Sequence, residues 1–383
     1  MIRALYLHIP YCERKCAYCD FTSVGGVRGQ GEYAEALRRE LRHLAERLDP
    51  ESIRLDTVFV GGGTPSLVDA ALLHGILDEV RACFAVAPDA EVTMEANPSS
   101  TTPRKADAWL RAGVNRISLG VQSVHADVLH FLDRVHDGER ALQAVRDVQA
   151  AGFVRVNTDL IYAVPGLDDA RWQDTLDRVL ALGCEHLSCY ELTVEEGTPL
   201  ASAVAAGAVP TVDADTALRQ HWITVHATDA AGLRQYEISN FARPGAECRH
   251  NLAYWHNDFY LAAGVGAHGH LPPEAARRLG VDAQPDGVAV RYWHTESITE
   301  YVSGAPLRHE TVSAEQRSAE SILVGLRLVR EGVAVQAAPM QRTAVQLRDA
   351  GLLHWDGRVA RVTERGQELL DAVALRLCDV PAA

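Results

Sequence analysis

The chain has no apolar run of the ~18 residues that a bilayer-crossing helix needs, which excludes a transmembrane helix. Its N-terminus, MIRALYLHIP, lacks the charged-then-apolar layout of a secretory signal and reads as a strand from Arg3. Without such a signal, eight cysteines predict a reducing, cytoplasmic setting with thiols in place of bridges. A surplus of positive charge is also missing. Lys and Arg number 37 against 51 Asp and Glu, for a net charge of −14. That balance repels phosphate backbones and, with no basic RNA-binding module evident, argues against a nucleic-acid partner. What remains is an ordinary globular composition, 47% hydrophobic, in a 383-residue chain that has room for one large α/β domain and a smaller one.

Against these absences stands one dense stretch, LYLHIPYCERKCAYCDF, from Leu5 to Phe21. Cys12, Cys16 and Cys19 follow a strand-like run in a C-x3-C-x2-C spacing. A loop this short brings three thiolates onto one iron-sulfur cluster, and three protein ligands leave one iron of a 4Fe-4S cube open. A structural zinc ion would want a fourth ligand. Only His8 is near, on a strand expected to face away from the loop. Cys83, Cys184, Cys189, Cys248 and Cys378 are scattered and read as small buried hydrophobes.

From Arg3 to about Thr193, apolar runs alternate with amphipathic stretches. The predicted strands are Ala4–Ile9, Thr57–Val60, Glu91–Met94, Arg116–Leu119, Arg155–Leu160 and His186–Leu192. The predicted helices are Glu32–Arg47, Ala70–Cys83, Arg104–Ala112, Glu139–Ala151 and Ala170–Leu182, with Gly113, Gly152 and Gly183 as stops. Such alternation implies parallel strands with helical crossovers. Six units in about 190 residues, against roughly 250 for eight, predict a partial (β/α)6 barrel over residues 1–200. In such barrels chemistry gathers at the C-terminal strand ends. Here those ends carry the cysteine loop, Gly61-Gly62-Gly63-Thr64-Pro65, Glu95, Gly120-Val121-Gln122, Asp159 and Tyr190 to Thr193. The glycines are expected to let backbone amides approach a ligand. Singly, Glu95, Asp159, Gln122 and Arg134 each have ordinary structural readings; the shared register gives them weight.

The motifs LYLHIPYCERKCAYCDF, FVGGGTPSL, TMEANP, RISLGVQS, LDRVH and NTDLIYAVPG resemble the oxygen-independent coproporphyrinogen III oxidase family of radical S-adenosylmethionine (SAM) proteins, over nearly the whole chain. The resemblance implies that Cys12, Cys16 and Cys19 hold the cluster. It further implies that Tyr6, Tyr18, Gly62, Gly63, Thr64, Glu95, Gln122, Arg134, Asp159 and Thr193 surround SAM, with Arg134 suited to its carboxylate. Two departures set the chain apart from true oxidases. Phe21 stands where they carry a fourth cysteine, and the chain starts on its first strand without their N-terminal extension. The expected role is therefore that of the family's heme-chaperone branch: binding heme and passing it to acceptor proteins, membrane-associated ones included. Radical decarboxylation of coproporphyrinogen III is the alternative. Monomer and dimer, and the use of SAM cleavage, stay open.

Residues 201–310 form an extension carrying HNLAYW. Within it Asp213 to Ala231 reads as a helix and Gln235–Ile238 as a strand. His250 is the natural axial ligand for heme, with a hydrogen-bonded structural histidine as the equal competing reading; Cys248 is a thiolate alternative and His268 and His270 are weaker candidates. Residues 311–383 suggest a small winged-helix-like unit. Its signals are helical patterns at Ala314–Arg330 and Ala344–Ala350, a two-residue Asp356-Gly357 hairpin turn, and a last helix from Glu364 to Leu377. Its interleaved charges favour packing or partner docking over DNA binding.

Overall fold

The structure, a computed structural model, describes residues 1–281 and 284–378, so residues 379–383 of the last unit lie outside the described residues. Six parallel strands carry the first half: β1 (Ile2–Ile9), β2 (Ile53–Gly62), β3 (Val86–Ala96), β4 (Arg116–Gln122), β5 (Arg155–Tyr162) and β6 (His186–Glu191). The crossovers include α1 (Gln30–Arg47), α2 (Ala70–Cys83), α3 (Pro103–Arg111), α4 (Gly138–Ala151) and α5 (Asp169–Leu180). Asp69, Asp137 and Asp168 cap α2, α4 and α5 through their carboxylates, and Thr102 caps α3 through its hydroxyl. Gly113, Gly152 and Gly183 take the positive φ expected of helix stops. Leu5 and Leu7 of β1 and Trp109 and Trp172 of the crossover helices are fully buried in one continuous core.

The sheet does not end with the sixth strand. The extension adds β7 (Arg234–Glu237) and β8 (Asn240–Ala242) beyond β6. On the other side β9 (Tyr260–Ala263) pairs parallel with β1, and β10 (His268–Leu271), β11 (Ala289–Trp293) and β12 (Arg308–Val312) follow antiparallel. The order β12-β11-β10-β9-β1-β2-β3-β4-β5-β6-β8-β7 is a single open 12-stranded sheet. Residues 201–310 thus widen the barrel wall from both edges.

Residues from Ile322 to Cys378 have a second hydrophobic core. It is built on helix Ala314–Gly325, helix Ala338–Asp349 and a three-stranded sheet of Val333–Ala334, Leu353–Trp355 and Val359–Val362. Several details differ from expectation: the first helix ends at Gly325 and not Arg330, and the second begins at Ala338 and not Ala344. The hairpin closes on the pair Trp355–Ala360, so four residues form its loop. Asp356 organises that loop by accepting from the amides of Arg358 and Val359 at 2.9 and 2.8 Å. The last helix breaks at Leu369, whose backbone leaves the helical region, giving Glu364–Glu368 and Leu370–Leu377.

Candidate cluster and cofactor site

A cavity of about 510 Å³ opens at the C-terminal ends of β1 to β6. Cys12, Cys16, Cys19, Tyr18, Gly62, Gly63, Thr64, Glu95, Gln122, Arg134, Asp159 and Thr193 all line it. Tyr6 stands behind this wall: its ring stacks on Phe59, which does line the cavity, and its hydroxyl pairs with His8 Nδ1 at 3.1 Å. The first strand's side chains therefore contribute to the wall's backing, while the loop after it contributes the thiols.

The glycine loop works differently from expectation. The Gly62 amide donates to Glu95 Oε2 at 3.0 Å, Gly63 N to Ile9 O at 2.8 Å and Thr64 N to Tyr11 O at 2.7 Å. These amides are spent inside the chain, so they do not face a ligand. Glycine is required for space: at Gly62, with φ +110°, a Cβ would lie 2.6 Å from the His8 ring, and at Gly63 one would lie 2.8 Å from Tyr11 O. His8 itself reaches the cysteine loop, with Nε2 2.7 Å from Thr22 O, so it does not face away. Both its ring nitrogens are engaged, which leaves it unsuited to ligate a metal.

At the end of β4 a register shift puts Gln122 in the left-handed region at φ +63°. Such a conformation costs a non-glycine residue on the order of 1–2 kcal/mol and aims its side chain at the cavity. Gly120 beneath it leaves room, since a Cβ there would lie 2.8 Å from Gln122 Nε2 and 3.1 Å from Arg134 Nη2. Arg134 donates to Gly120 O at 3.0 Å and holds Nη1 3.8 Å from Cys16 Sγ, while its Nε is buried without a partner.

The carboxyls of the wall are pulled toward their neutral forms. Loss of water pushes Glu95 up to about 8, the Asp159 charge adds to this, and the Gly62 amide opposes it. Burial likewise raises Asp159, although Ser118 donates to it at 2.9 Å and Asn157 at 2.7 Å. Asn157 also donates to Ser188 Oγ at 2.9 Å. Sequence reasoning passed over Arg116, Ser118, Asn157 and Ser188, which line the inner part of the cavity. Their signal is the two-residue alternation Arg116, Ser118, Gly120, Gln122 along one strand face.

HNLAYW closes on the inner end of the same cavity, which Asn251 lines. The helix Arg249–Trp255 sits against the N-terminal part of the strands. There Glu91 accepts from the amides of Arg249 and His250, each at 3.2 Å, a carboxylate placed at a helix N-terminus. In this structure His250 is held by partners on both ring nitrogens. Its Nδ1 pairs with Thr57 Oγ1 and its Nε2 with Tyr254 OH, both at 2.9 Å, and the ring packs on Phe59 at 5.1 Å with no solvent exposure. Burial, then the Arg116 charge, lowers its pKa to about 3, so it stays neutral. Cys248 is enclosed as well. It is buried, its thiol lies 3.5 Å from Glu91, and burial pushes its pKa up to about 12. His270 is buried too, with Nδ1 3.2 Å from Asp258 O.

The helix also joins the two cores. Arg327 lies over the Trp255 ring at 4.7 Å, His256 pairs with Glu331 at 3.0 Å, and Asn257 donates to Ser321 at 3.0 Å. Arg327 reaches Glu237 at 3.1 Å, and that carboxylate is completely buried.

Residues 6–179 match the model of the Radical SAM superfamily. The chain is 40% identical to the heme chaperone HemW of Mycobacterium tuberculosis, covering 97% of this chain and 94% of that one. It is 34% identical to the HemW of Escherichia coli, covering 87% and 84%. The solved structure of the coproporphyrinogen III oxidase HemN of Escherichia coli superposes with a TM-score of 0.80 at 20% identity, covering 98% of this chain and 90% of that one, which shows the shared fold. The chain belongs to the HemW family of the radical SAM superfamily.

Proposed function

We propose that this protein is a heme chaperone that binds heme and passes it to acceptor proteins, using a cavity that holds a 4Fe-4S cluster and SAM. The observation that carries the reading is a coincidence. Three thiols and the ends of the parallel strands share one cavity, in a chain similar end to end to proteins named as heme chaperones.

The residues present fit the cofactors. Three thiols spread around one cavity suit a multi-iron cluster better than zinc. Cys12, Cys16 and Cys19 would ligate three irons and leave the fourth for SAM. The reduced cluster supplies the electron for any SAM cleavage. Arg134, beside Cys16 and with an unmet donor, would hold the SAM carboxylate. Gln122, Glu95 and Asp159 would bond its amino group and ribose hydroxyls, with Tyr18 and Thr193 at the cavity wall and Gly62, Gly63 and Thr64 shaping the floor beside the cluster. Tyr6 would act from behind, by fixing Phe59.

Cytoplasmic placement and acceptor proteins, membrane-associated ones included, belong to the same proposal. Among the described residues no helix is long and apolar enough to cross a membrane. The test pairs two assays on anaerobically reconstituted protein. Heme loaded on the protein should move to an apo-acceptor, and turnover with SAM, reductant and coproporphyrinogen III should give no divinyl product. Appearance of that product would replace this reading with the oxidase.

A further inference from the structure

The inside of a parallel barrel is ordinarily filled by branched apolar side chains. Here two polar rows cross it. Strand pairing sets Ser118 of β4, Asn157 of β5 and His186 of β6 side by side in one row, and Gly120, Asp159, Ser188 and Asn240 of β8 in the next. Residues two apart on a strand share a face, so both rows point the same way. Ser118, Asn157, Asp159 and Ser188 line the cavity. His186 is buried behind them, outside the lining. A buried polar group left unmatched is costly, and here each group dictates how the next one bonds.

An amide oxygen only accepts, so the 2.7 Å contact between Asn157 Oδ1 and His186 Nδ1 puts the imidazole proton on Nδ1. His186 Nε2 is then an acceptor, and the Tyr236 hydroxyl at 2.9 Å is its donor. The Tyr236 oxygen in turn receives the Cys248 amide at 3.4 Å. Burial, then the charges of Arg116 and Arg155, holds the His186 pKa well below its ordinary value, so the ring stays neutral. The chain of donors runs one way, from the Cys248 amide through Tyr236 and His186 to Asn157. It ends by turning the Asn157 amide nitrogen toward Asp159 Oδ1, 2.7 Å away. A reversed amide would set its oxygen against the carboxylate and lose the bond from His186. Ser118 donates to the other oxygen, Asp159 Oδ2, at 2.9 Å.

We propose that Asn157 and His186 are positioning residues for the ribose of bound SAM: they present Asp159 as an oriented carboxylate to the two vicinal hydroxyls. The inference rests on the reading above, with SAM in this cavity and Asp159 at its ribose. An ionised carboxyl accepts at about four lone-pair sites. Asn157 and Ser118 fill one on each oxygen. Each oxygen can then accept once more, which is what a vicinal diol requires. Burial pulls Asp159 toward the neutral acid, and the two donors oppose it. Without them the group takes up a proton more readily and offers the diol one acceptor fewer.

The experiment is equilibrium dialysis of SAM, and of SAM lacking both ribose hydroxyls, against the full chain with its cluster reconstituted. Asn157→Leu should weaken SAM binding by about tenfold or more and bind the analogue as the wild type does. His186→Leu should do the same from outside the cavity lining. His186→Gln, whose amide can still donate to Asn157, should recover most of the affinity. In an Asp159→Ala background, Asn157→Leu should cost nothing further. Retained analogue binding shows that a variant has kept its cavity. Should Asn157→Leu fail to fold, Asn157→Ser, too short to reach Asp159, carries the same test. Three results overturn the inference and leave the SAM reading standing: equal losses for SAM and the analogue, additive losses with Asp159→Ala, or a wild type that binds both ligands equally. A wild type that binds neither ligand sinks both.

Discussion

The carboxyl of Glu95 accepts a hydrogen bond from the Gly62 amide at 3.0 Å, tying the end of β3 to the glycine loop after β2. This carboxyl ionises with difficulty, at about 8 against an ordinary 4.5. Between those two values the folded chain keeps a proton that the unfolded chain has released. Stability therefore falls as pH rises through this window. Glu95→Gln removes the titration, so its melting temperature should gain on the wild type by about 2 °C or more between about pH 5 and about pH 9. Parallel melting curves for the two cofactor-free proteins would count against this account of Glu95.

Cys16 is the central thiol of the motif and the one beside Arg134. Cys16→Ser protein, reconstituted anaerobically, should lose most of its iron, sulfide and cluster absorbance. Cys83→Ser should lose none, because Cys83 sits on α2, outside the residues that line the cavity. Full cluster content in Cys16→Ser would refute the ligand assignment.

His250 holds two buried hydroxyls, those of Thr57 and Tyr254. His250→Leu leaves both without that partner, and each unmet group costs about 1–3 kcal/mol. The urea midpoint should drop by the equivalent of about 2 kcal/mol or more, whereas exposed His268→Ala should stay within about 0.5 kcal/mol of the wild type. Equal stability of the two variants would mean that His250 has no such supporting role.

Arg327 neutralises Glu237, a carboxylate with no exposed surface. Removing one partner of a buried ion pair typically costs about 3–5 kcal/mol, far more than replacing both. Arg327→Met should therefore be strongly destabilising, and adding Glu237→Gln should recover a large part of the loss. A denaturant-melt double-mutant cycle measures this; purely additive effects would contradict it.

Much of the barrel and its mouth was legible in the sequence. The alternation of apolar runs and amphipathic stretches located all six parallel strands, and twelve of the thirteen residues expected around cluster and SAM, all but Tyr6, line the cavity: the thiols through spacing, Gln122 and Asp159 through register. The backing position of Tyr6 was not legible because an inward strand position does not reveal whether another ring stands beside it, as Phe59 does. β9 to β12 were not foreseen. They are four or five residues long, and β9 joins β1 across more than two hundred residues of chain, a pairing that local periodicity does not encode. The partners of His250 were hidden for a related reason. A histidine in a conspicuous motif looks like a ligand until Thr57, far off in sequence, is seen to occupy its ring.

The helix Arg249–Trp255 meets the cavity wall through Phe59 at one end and the second core through Trp255 and Arg327 at the other. The last segment is thus a strut and not a tail. A shortened protein ending before Ser313 would strip Trp255 of its guanidinium, His256 of Glu331 and Glu237 of its counter-ion in a single cut.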